Sequence, residues 1–150
     1  FVDAYGEKLD LGRLLPLGPR RLSFTSRLAI NPRWRRSPVF RELVSAAFWV
    51  GGAPEVSLSI CTCRPSLVPL FQHLGYQEYG PRFSEPGGGH QCALLLVTGD
   101  LEHLGAVGSP FYPLASRYPP DTTTRHWLSS RLTPRLHAMP PTIHTERITP

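Results

Sequence analysis

Apolar and polar positions alternate most clearly in the first half of the chain. Leu22, Phe24, Leu28 and Ile30 alternate with Ser23, Thr25, Arg27 and Ala29, and Ser26 breaks the apolar face once. This is the two-residue period of a half-buried strand. Asn31-Pro32 ends it, and Arg33-Trp34-Arg35-Arg36 forms a short basic loop. Ser37-Pro38 then has the form of a helix start, with serine as N-cap and proline at the first helical position. Phe40, Leu43, Val44 and Ala47 share one face of that helix, and Gly51-Gly52 stops it. Val56, Leu58 and Ile60 alternate with Ser57, Ser59 and Cys61, predicting a second strand that ends at Arg64-Pro65.

Ser66 is placed to cap another helix, in which Leu67, Leu70, Phe71 and Leu74 recur at i, i+3, i+4 and i+7. Pro69 is tolerated in its first turn, where an N–H would lack a partner, and Gly75 supplies the left-handed stop. Tyr76 to Phe83 reads as a strand and Ser84 to His90 as a loop or hairpin turn. Gln91 to Thr98 is almost continuously apolar, the pattern of a strand covered on both faces. Gly99 to Pro110 reads as a turn with a short helical piece. Residues 22–98 therefore run strand–helix–strand–helix–strand–strand, an α/β or α+β layered fold. The first crossover should join two parallel strands. Three segments follow: an irregular lead-in over 1–21, a folded domain over 22–112, and an extended, proline-rich tail or linker over 113–150.

Composition adjusts this picture in a few places. A length of 150 residues suits one domain. With 41% hydrophobic and 18% charged residues, a disordered polyelectrolyte is excluded. Glycine and proline together make a fifth of the chain, so loops are extensive and part of it should fold poorly. No apolar run is long enough to cross a bilayer, and no charged-then-apolar signal segment opens the chain. The only methionine is Met139, so the chain is expected to be processed or cut from a longer one. Cys61 and Cys63 lie too close along one strand to pair, and the third thiol, Cys92, leaves an odd count. A reduced, cytoplasmic setting fits such cysteines better than a disulfide framework.

The net charge of +5 is uneven, because seven arginines and no acid fall between Arg20 and Arg41. An anionic partner fits that excess: phosphate, an acidic protein or nucleic acid. The sharpest local form is a strand, then the loop 31–36, then the helix N-terminus at Ser37. The unpaired N–H groups and partial positive charge of such a terminus attract phosphate, and Arg33, Arg35 and Arg36 are placed to clamp it. A solvated basic loop is the plain alternative.

The run Ser26-Arg27-Leu28-Ala29-Ile30-Asn31-Pro32-Arg33-Trp34-Arg35-Arg36-Ser37, then a helix, a strand and Leu70-Phe71-Gln72-His73-Leu74-Gly75-Tyr76, resembles the second half of the GNAT acyltransferase superfamily. The closer resemblance is to long-chain N-acyl amino acid synthases and acyl-homoserine-lactone synthases. It extends over roughly residues 20–112, where Gly99-Asp100 through Leu104 to Ser109-Pro110-Phe111 is similar to the end of that domain. The resemblance implies a GNAT-like mixed sheet flanked by helices, incomplete at the N-terminus, since the family's first strand and first two helices have no counterpart before residue 20. It implies an N-acyltransferase that takes an acyl group from a phosphopantetheine thioester, on acyl carrier protein or CoA, to an amine such as an amino acid. In the family the first two parallel strands splay and the pantetheine arm lies between them. The implied donor-binding positions are Ile30, Arg33, Arg35, Arg36 and Ser37, with Ser26, Arg27, Ser59 and Cys61 toward the substrate. The small side chains of Ser57, Ser59, Cys61 and Cys63 would leave room for the chain.

Two departures shape the expectation. Arg36 and Pro38 stand where the family's phosphate loop has glycine, so close approach of the backbone to a pyrophosphate is harder. That shifts the donor toward a carrier protein with a single phosphate. Phe71 stands where the family often has a tyrosine general acid, so no catalytic acid or base is assigned; His73 is a helix-surface histidine that could titrate. Other chemistries fit less well. Cys61-Thr62-Cys63 lacks the paired spacing of zinc ligands, and the cysteines lack a supporting histidine signature for nucleophilic catalysis. Trp34 among arginines could stack on a base, which keeps a non-enzymatic anion- or nucleic-acid-binding fragment as the alternative function.

Overall fold

The computed structural model describes residues 5–14, 16, 21–26, 28–35, 37–50 and 56–131. It is a mixed α/β fold built on five strands: β1 (Leu22–Thr25), β2 (Leu58–Cys63), β3 (Gln77–Glu78), β4 (Phe83–Glu85) and β5 (Gly89–Val97). Helices α1 (Val39–Val50), α2 (Val68–Leu74), α3 (Leu101–Ala106), α4 (Tyr112–Ala115) and α5 (Thr122–Arg131) surround them. The main sheet runs β1-β2-β5-β3, and β4 pairs with the start of β5. β1 and β2 are parallel across the α1 crossover, from Leu22↔Leu58 to Thr25↔Cys61, as the strand–helix–strand order requires. β5 runs antiparallel to β2, from Leu58↔Val97 to Cys63↔Cys92. No described helix is long and apolar enough to cross a membrane.

The alternation along the strands sorts side chains onto two faces. Cys61, Cys63, Cys92, Leu94 and Leu96 pack with Val44, Val68, Phe71, Leu74, Leu104 and Phe111, beneath the helices of the first layer. Leu58, Ile60, Ala93 and Leu95 point the other way and pack with Leu9, Leu11, Leu14, Tyr79 and Leu128. The continuous apolar run of β5 is thus explained: Gln91 to Leu96 are all buried, with Cys92, Leu94 and Leu96 in one core cluster and Ala93 and Leu95 in the other.

Two stretches read as irregular from the sequence form that second layer. In the lead-in, Leu9, Leu11 and Leu14 lie at or below 4% exposure, and the Tyr79 hydroxyl donates to the Leu9 carbonyl at 2.8 Å. In the proline-rich stretch, α5 buries Leu128 and Thr124. The extended reading of 113–150 is therefore corrected over the described part, which ends at Arg131. Asp121 caps α5: its carboxylate accepts from the Thr124 N–H at 2.9 Å and the Thr124 hydroxyl at 2.7 Å. It also accepts from Arg21 at 3.1 Å, joining the helix to the residue before β1.

The first strand is shorter than its pattern predicts. The expected span 22–30 narrows to Leu22–Thr25. Ser26 falls on the face occupied by Leu22 and Phe24, and beyond it no core remains to receive Leu28, which is 38% exposed. The α1 start matches its cap signature: the Ser37 hydroxyl accepts from the Val39 N–H at 3.3 Å and the Glu42 N–H bonds the Pro38 carbonyl. Its buried face is Phe40, Val44 and Phe48 rather than one containing Leu43, because Phe48 stacks on Phe111 at 4.5 Å and sets the helix rotation. α2 is likewise rotated from expectation. Val68, Phe71 and Leu74 are buried while Leu67 and Leu70 face solvent, and the turn before it begins at Pro65 with no Ser66 cap.

Gly75 ends α2 at φ +106°, and a Cβ there would meet Leu104 Cδ2 at 2.5 Å. Gly75→Ala is expected to destabilise the fold by about 2–4 kcal/mol, from the left-handed backbone and the displaced leucine together. Urea denaturation read by far-UV circular dichroism measures it.

Burial alone would raise the pKa of Asp121. The hydrogen bonds from Thr124 and Ser57 and the charge of Arg21 outweigh burial and hold the carboxyl below its usual range. A lowered folded-state pKa contributes stability that is present above the unfolded value and lost as pH falls through the folded one. Asp121→Ala should therefore cost about 1 kcal/mol at pH 7 and make unfolding less steep below about pH 4. Paired acid titrations of the two proteins test this.

Candidate functional site

The residues available for chemistry gather on one face of the parallel pair. On β1 that face carries Ser23 and Thr25, and on β2 it carries Ser59. All three are small, so the sheet leaves space beneath α1 that no side chain of its own fills. The result is a cavity of about 130 Å³ whose apolar walls come from Leu28, Val44, Ala47, Phe48, Phe71 and Phe111. A neighbouring hollow at the other end of the strands lies between Arg21, Ser57, Tyr118 and Asp121.

One wall of the cavity is polar. Ser59 Oγ shares a hydrogen bond of 2.9 Å with the Tyr76 hydroxyl and a longer one, 3.4 Å, with Thr25 Oγ1. Tyr76 reaches this point because Gly75 turns the chain out of α2 directly onto the sheet, where the ring packs edge-on against Phe71 at 5.6 Å. Burial, and then the nearby Cys61, push the Tyr76 phenol up to about 12, against the opposing hydrogen bonds from Ser59 and Thr25. At neutral pH the group is an uncharged phenol, able to donate or accept one hydrogen bond.

The two strands do not splay over their paired length. They are hydrogen-bonded along the whole of β1, and the chain separates from β2 only after Thr25. The expected slot between diverging strands is thus replaced by a space on the face of the pair. β2 also pairs with β5 at six positions, and the β1 side chains on the cavity face are the small Ser23 and Thr25.

The basic loop follows directly from the cavity wall. Pro32–Trp34 forms a 3₁₀ turn, opened by the Asn31 side chain, which accepts from the Arg33 N–H at 3.2 Å. Arg35 Nε donates to the Ile30 carbonyl at 3.2 Å, folding the guanidinium back toward the end of the strand segment. The Arg33 guanidinium lies over the half-exposed Trp34 ring at 5.9 Å. Among the described residues, no carboxylate pairs with Arg33 or Arg35; the recorded ion pairs use Arg21, Arg82 and Arg125. The Ser37 hydroxyl is already engaged, donating to the Trp34 carbonyl at 2.8 Å while capping Val39.

The structure thus brings Ile30 and Arg35 together and sets Arg33 and Ser37 in the same loop. Ser59 lies in the cavity. Ser26 is exposed just past β1 and does not line it. Cys61 packs in the core instead, at 1% exposure. Arg27 and Arg36 lie outside the described residues. His73 is exposed on α2 and is not part of the cavity lining, and His103 contacts the Gly75 carbonyl at 3.1 Å. Thr25 and Tyr76 were not singled out by the sequence. Their only signal is position: Thr25 sits in register with Cys61, and Tyr76 follows the helix-ending glycine.

The three cysteines are buried free thiols. Burial first, and then Cys92 and Glu78, push Cys63 up to about 12; burial and Cys63 raise Cys61 further, and burial raises Cys92. None is a thiolate at neutral pH, so none is an activated nucleophile. At pH 8 all three should resist an aromatic disulfide reagent in the native protein and react together once it is unfolded, a difference that absorbance reads directly.

Comparison with known proteins assigns no family: no family model matches the chain, and no curated protein matches it.

Proposed function

We propose that the chain carries the donor-binding half of a GNAT-like N-acyltransferase. It would move an acyl group from a phosphopantetheine thioester to an amine such as an amino acid. The observation that supports this most is the juxtaposition along one segment of chain. A cavity with apolar walls and a hydroxyl cluster lies on the face of a parallel strand pair, and the segment that lines that cavity at Leu28 runs on into a basic loop, whose described arginines Arg33 and Arg35 pair with no described carboxylate, and then into the α1 N-terminus. An acyl thioester needs these three environments in that order: an apolar place for the chain, a hydrogen-bond donor for its carbonyl, and positive charge for the phosphate of its arm.

The chemistry is aminolysis. A neutral amine attacks the thioester carbonyl to form the C–N bond, the negative charge that develops on oxygen is stabilised by hydrogen bonding, the C–S bond breaks, and the departing thiolate takes up the proton that the amine nitrogen gives up. A free thiol has a pKa of about 8.5, so its departure requires little acid assistance. Tyr76 as a neutral phenol can donate to the developing oxyanion in a dry setting, and holding the reactants in place accounts for much of the rate. The donor favoured here is an acyl carrier protein, whose acidic surface suits the arginine-rich segment between Arg20 and Arg41; CoA is the other source of the same arm.

The alternative, a non-enzymatic anion- or nucleic-acid-binding fragment, is favoured by one observation. Trp34 is half exposed beside Arg33 and Arg35, which suits stacking with phosphate contact. It predicts binding of phosphate or single-stranded nucleic acid without thioester turnover.

The chain is titrated with acyl-pantetheine phosphate, and binding is read by calorimetry. The expected result is donor binding that weakens about 5–20-fold in Arg35→Ala, with the loss shrinking as salt rises. No binding of the acyl donor, together with tight binding of single-stranded nucleic acid, would favour the alternative.

A further inference from the structure

We infer that the outer face of α1 and the basic loop before it form one surface that docks on an anionic membrane. The helix lies in the plane of the headgroups, with an exposed aliphatic strip in the acyl boundary and the loop arginines on lipid phosphates. This goes beyond the acyl-transfer reading and does not rest on it, because the strip takes no part in donor binding.

The helix is apolar nearly all round. Of its twelve residues, Val39–Val50, only Arg41, Glu42 and Ser45 are polar. Phe40, Val44 and Phe48 turn one face to the core. Val39, Leu43, Ala46 and Val50, at i, i+4, i+7 and i+11, make a second apolar strip that the core does not use. All four are exposed, Val39 at 43%, Leu43 at 42% and Val50 at 82%. Single exposed aliphatic side chains are ordinary on a protein surface, but a contiguous row of them marks an interaction site. Glu42 borders the strip and is the one acid on the helix.

The loop extends the strip with an aromatic ring and charge. The Ser37 hydroxyl bonds the Trp34 carbonyl at 2.8 Å and caps Val39, so the turn carrying Trp34 sits against the first residues of the helix. Leu28 lines the same cavity as Val44 and Ala47, which places it beside α1, and Arg35 Nε bonds the carbonyl of Ile30, two residues further on. Arg33, Arg35 and the half-exposed Trp34 thus stand at the N-terminal end of the apolar row. Aliphatic side chains, an indole and arginines with no described carboxylate partner are the elements of a helix that lies in a membrane interface. The aliphatic groups enter the acyl boundary, the indole settles among the headgroups, and the guanidinium groups take phosphates in bidentate fashion.

A second copy of the chain is the competing occupant. The strip is roughly 18 Å long, and four side chains along it fall well short of the ~800 Å² per partner that a stable dimer buries. A second α1 also offers those arginines only Glu42. An anionic bilayer covers the strip and neutralises the loop at once.

The full chain is sedimented with phosphatidylcholine vesicles, with and without about one third phosphatidylserine. Binding should favour the anionic vesicles and weaken as salt rises from about 0.05 to 0.3 M. Arg33→Gln with Arg35→Gln should weaken it about 10–30-fold, at about 5-fold per charge. Leu43→Gln with Val50→Gln should weaken it about 10-fold, because the charges then act without insertion. Tryptophan emission should shift to the blue on binding, and Trp34→Phe should remove most of that shift. If the double strip variant fails to fold, Val50→Gln alone, with an expected loss of about 3-fold, carries the comparison. Equal binding to neutral and anionic vesicles, no binding to either, or unchanged binding in the strip variants would overturn the inference. So would strip variants that change only the mass in sedimentation velocity, an outcome that gives the strip to a second copy. The arginines serve both readings, but the strip serves only this one, so the two fail separately. Donor binding without vesicle binding removes the membrane and leaves the proposed function standing. Vesicle binding that needs Leu43 and Val50, without donor binding, does the reverse.

Discussion

The fold depends on the antiparallel pairing of β2 with β5. These two strands share six residue pairs, and both are covered on both faces. A strand pair buried on both sides cannot leave backbone or apolar side chains to water, so each face requires a lid. The helices α1 to α3 supply one. The lead-in leucines and α5 supply the other, which is why stretches that look unpatterned are fixed to the sheet by Leu9, Leu14 and Leu128 and by the Asp121–Arg21 pair.

The same pairing produces the cavity. β2 pairs with β5 on one side and with the parallel β1 on the other. Once Ser23, Thr25 and Ser59 occupy the helix-facing positions, small side chains meet a helix held off the sheet by Phe48 and Phe111. Space remains, and the hydroxyls that line it bond to one another and to Tyr76. Gly75 is the hinge of the arrangement. Its left-handed turn ends α2, admits Leu104 against its bare Cα, and delivers Tyr76 to the cavity in a single residue.

Much of this was legible from residue order. The serine–proline start of α1, the stop at Gly75, the two-sided burial of β5 and the parallel first crossover all follow from local signals, because each is decided by backbone chemistry or by a strong apolar period. What could not be read depended on tertiary contact. The rotations of α1 and α2 were set by the Phe48–Phe111 stack and by Val68, not by the leucines that the helical period offered. α5 was invisible because, among its described side chains, only Thr124 and Leu128 are buried, too few to make a period. For the site, the small residues on β2 pointed to open space, and Ser59 does line it. Cys61, two residues on, is filled in by core packing, and the hydroxyl cluster needed three elements to meet.

The measurement that bears most directly on the account is an amide and side-chain NMR map of the chain titrated with a short-chain acyl-pantetheine phosphate in the absence of any acceptor. The account predicts shifts concentrated at Ser23–Thr25, Val44–Phe48, Ser59 and Tyr76, with a second set at Arg33 and Arg35 that a phosphate-free analogue does not produce. Shifts confined to exposed arginines, with Ser59 and Tyr76 unmoved at saturation, would contradict it.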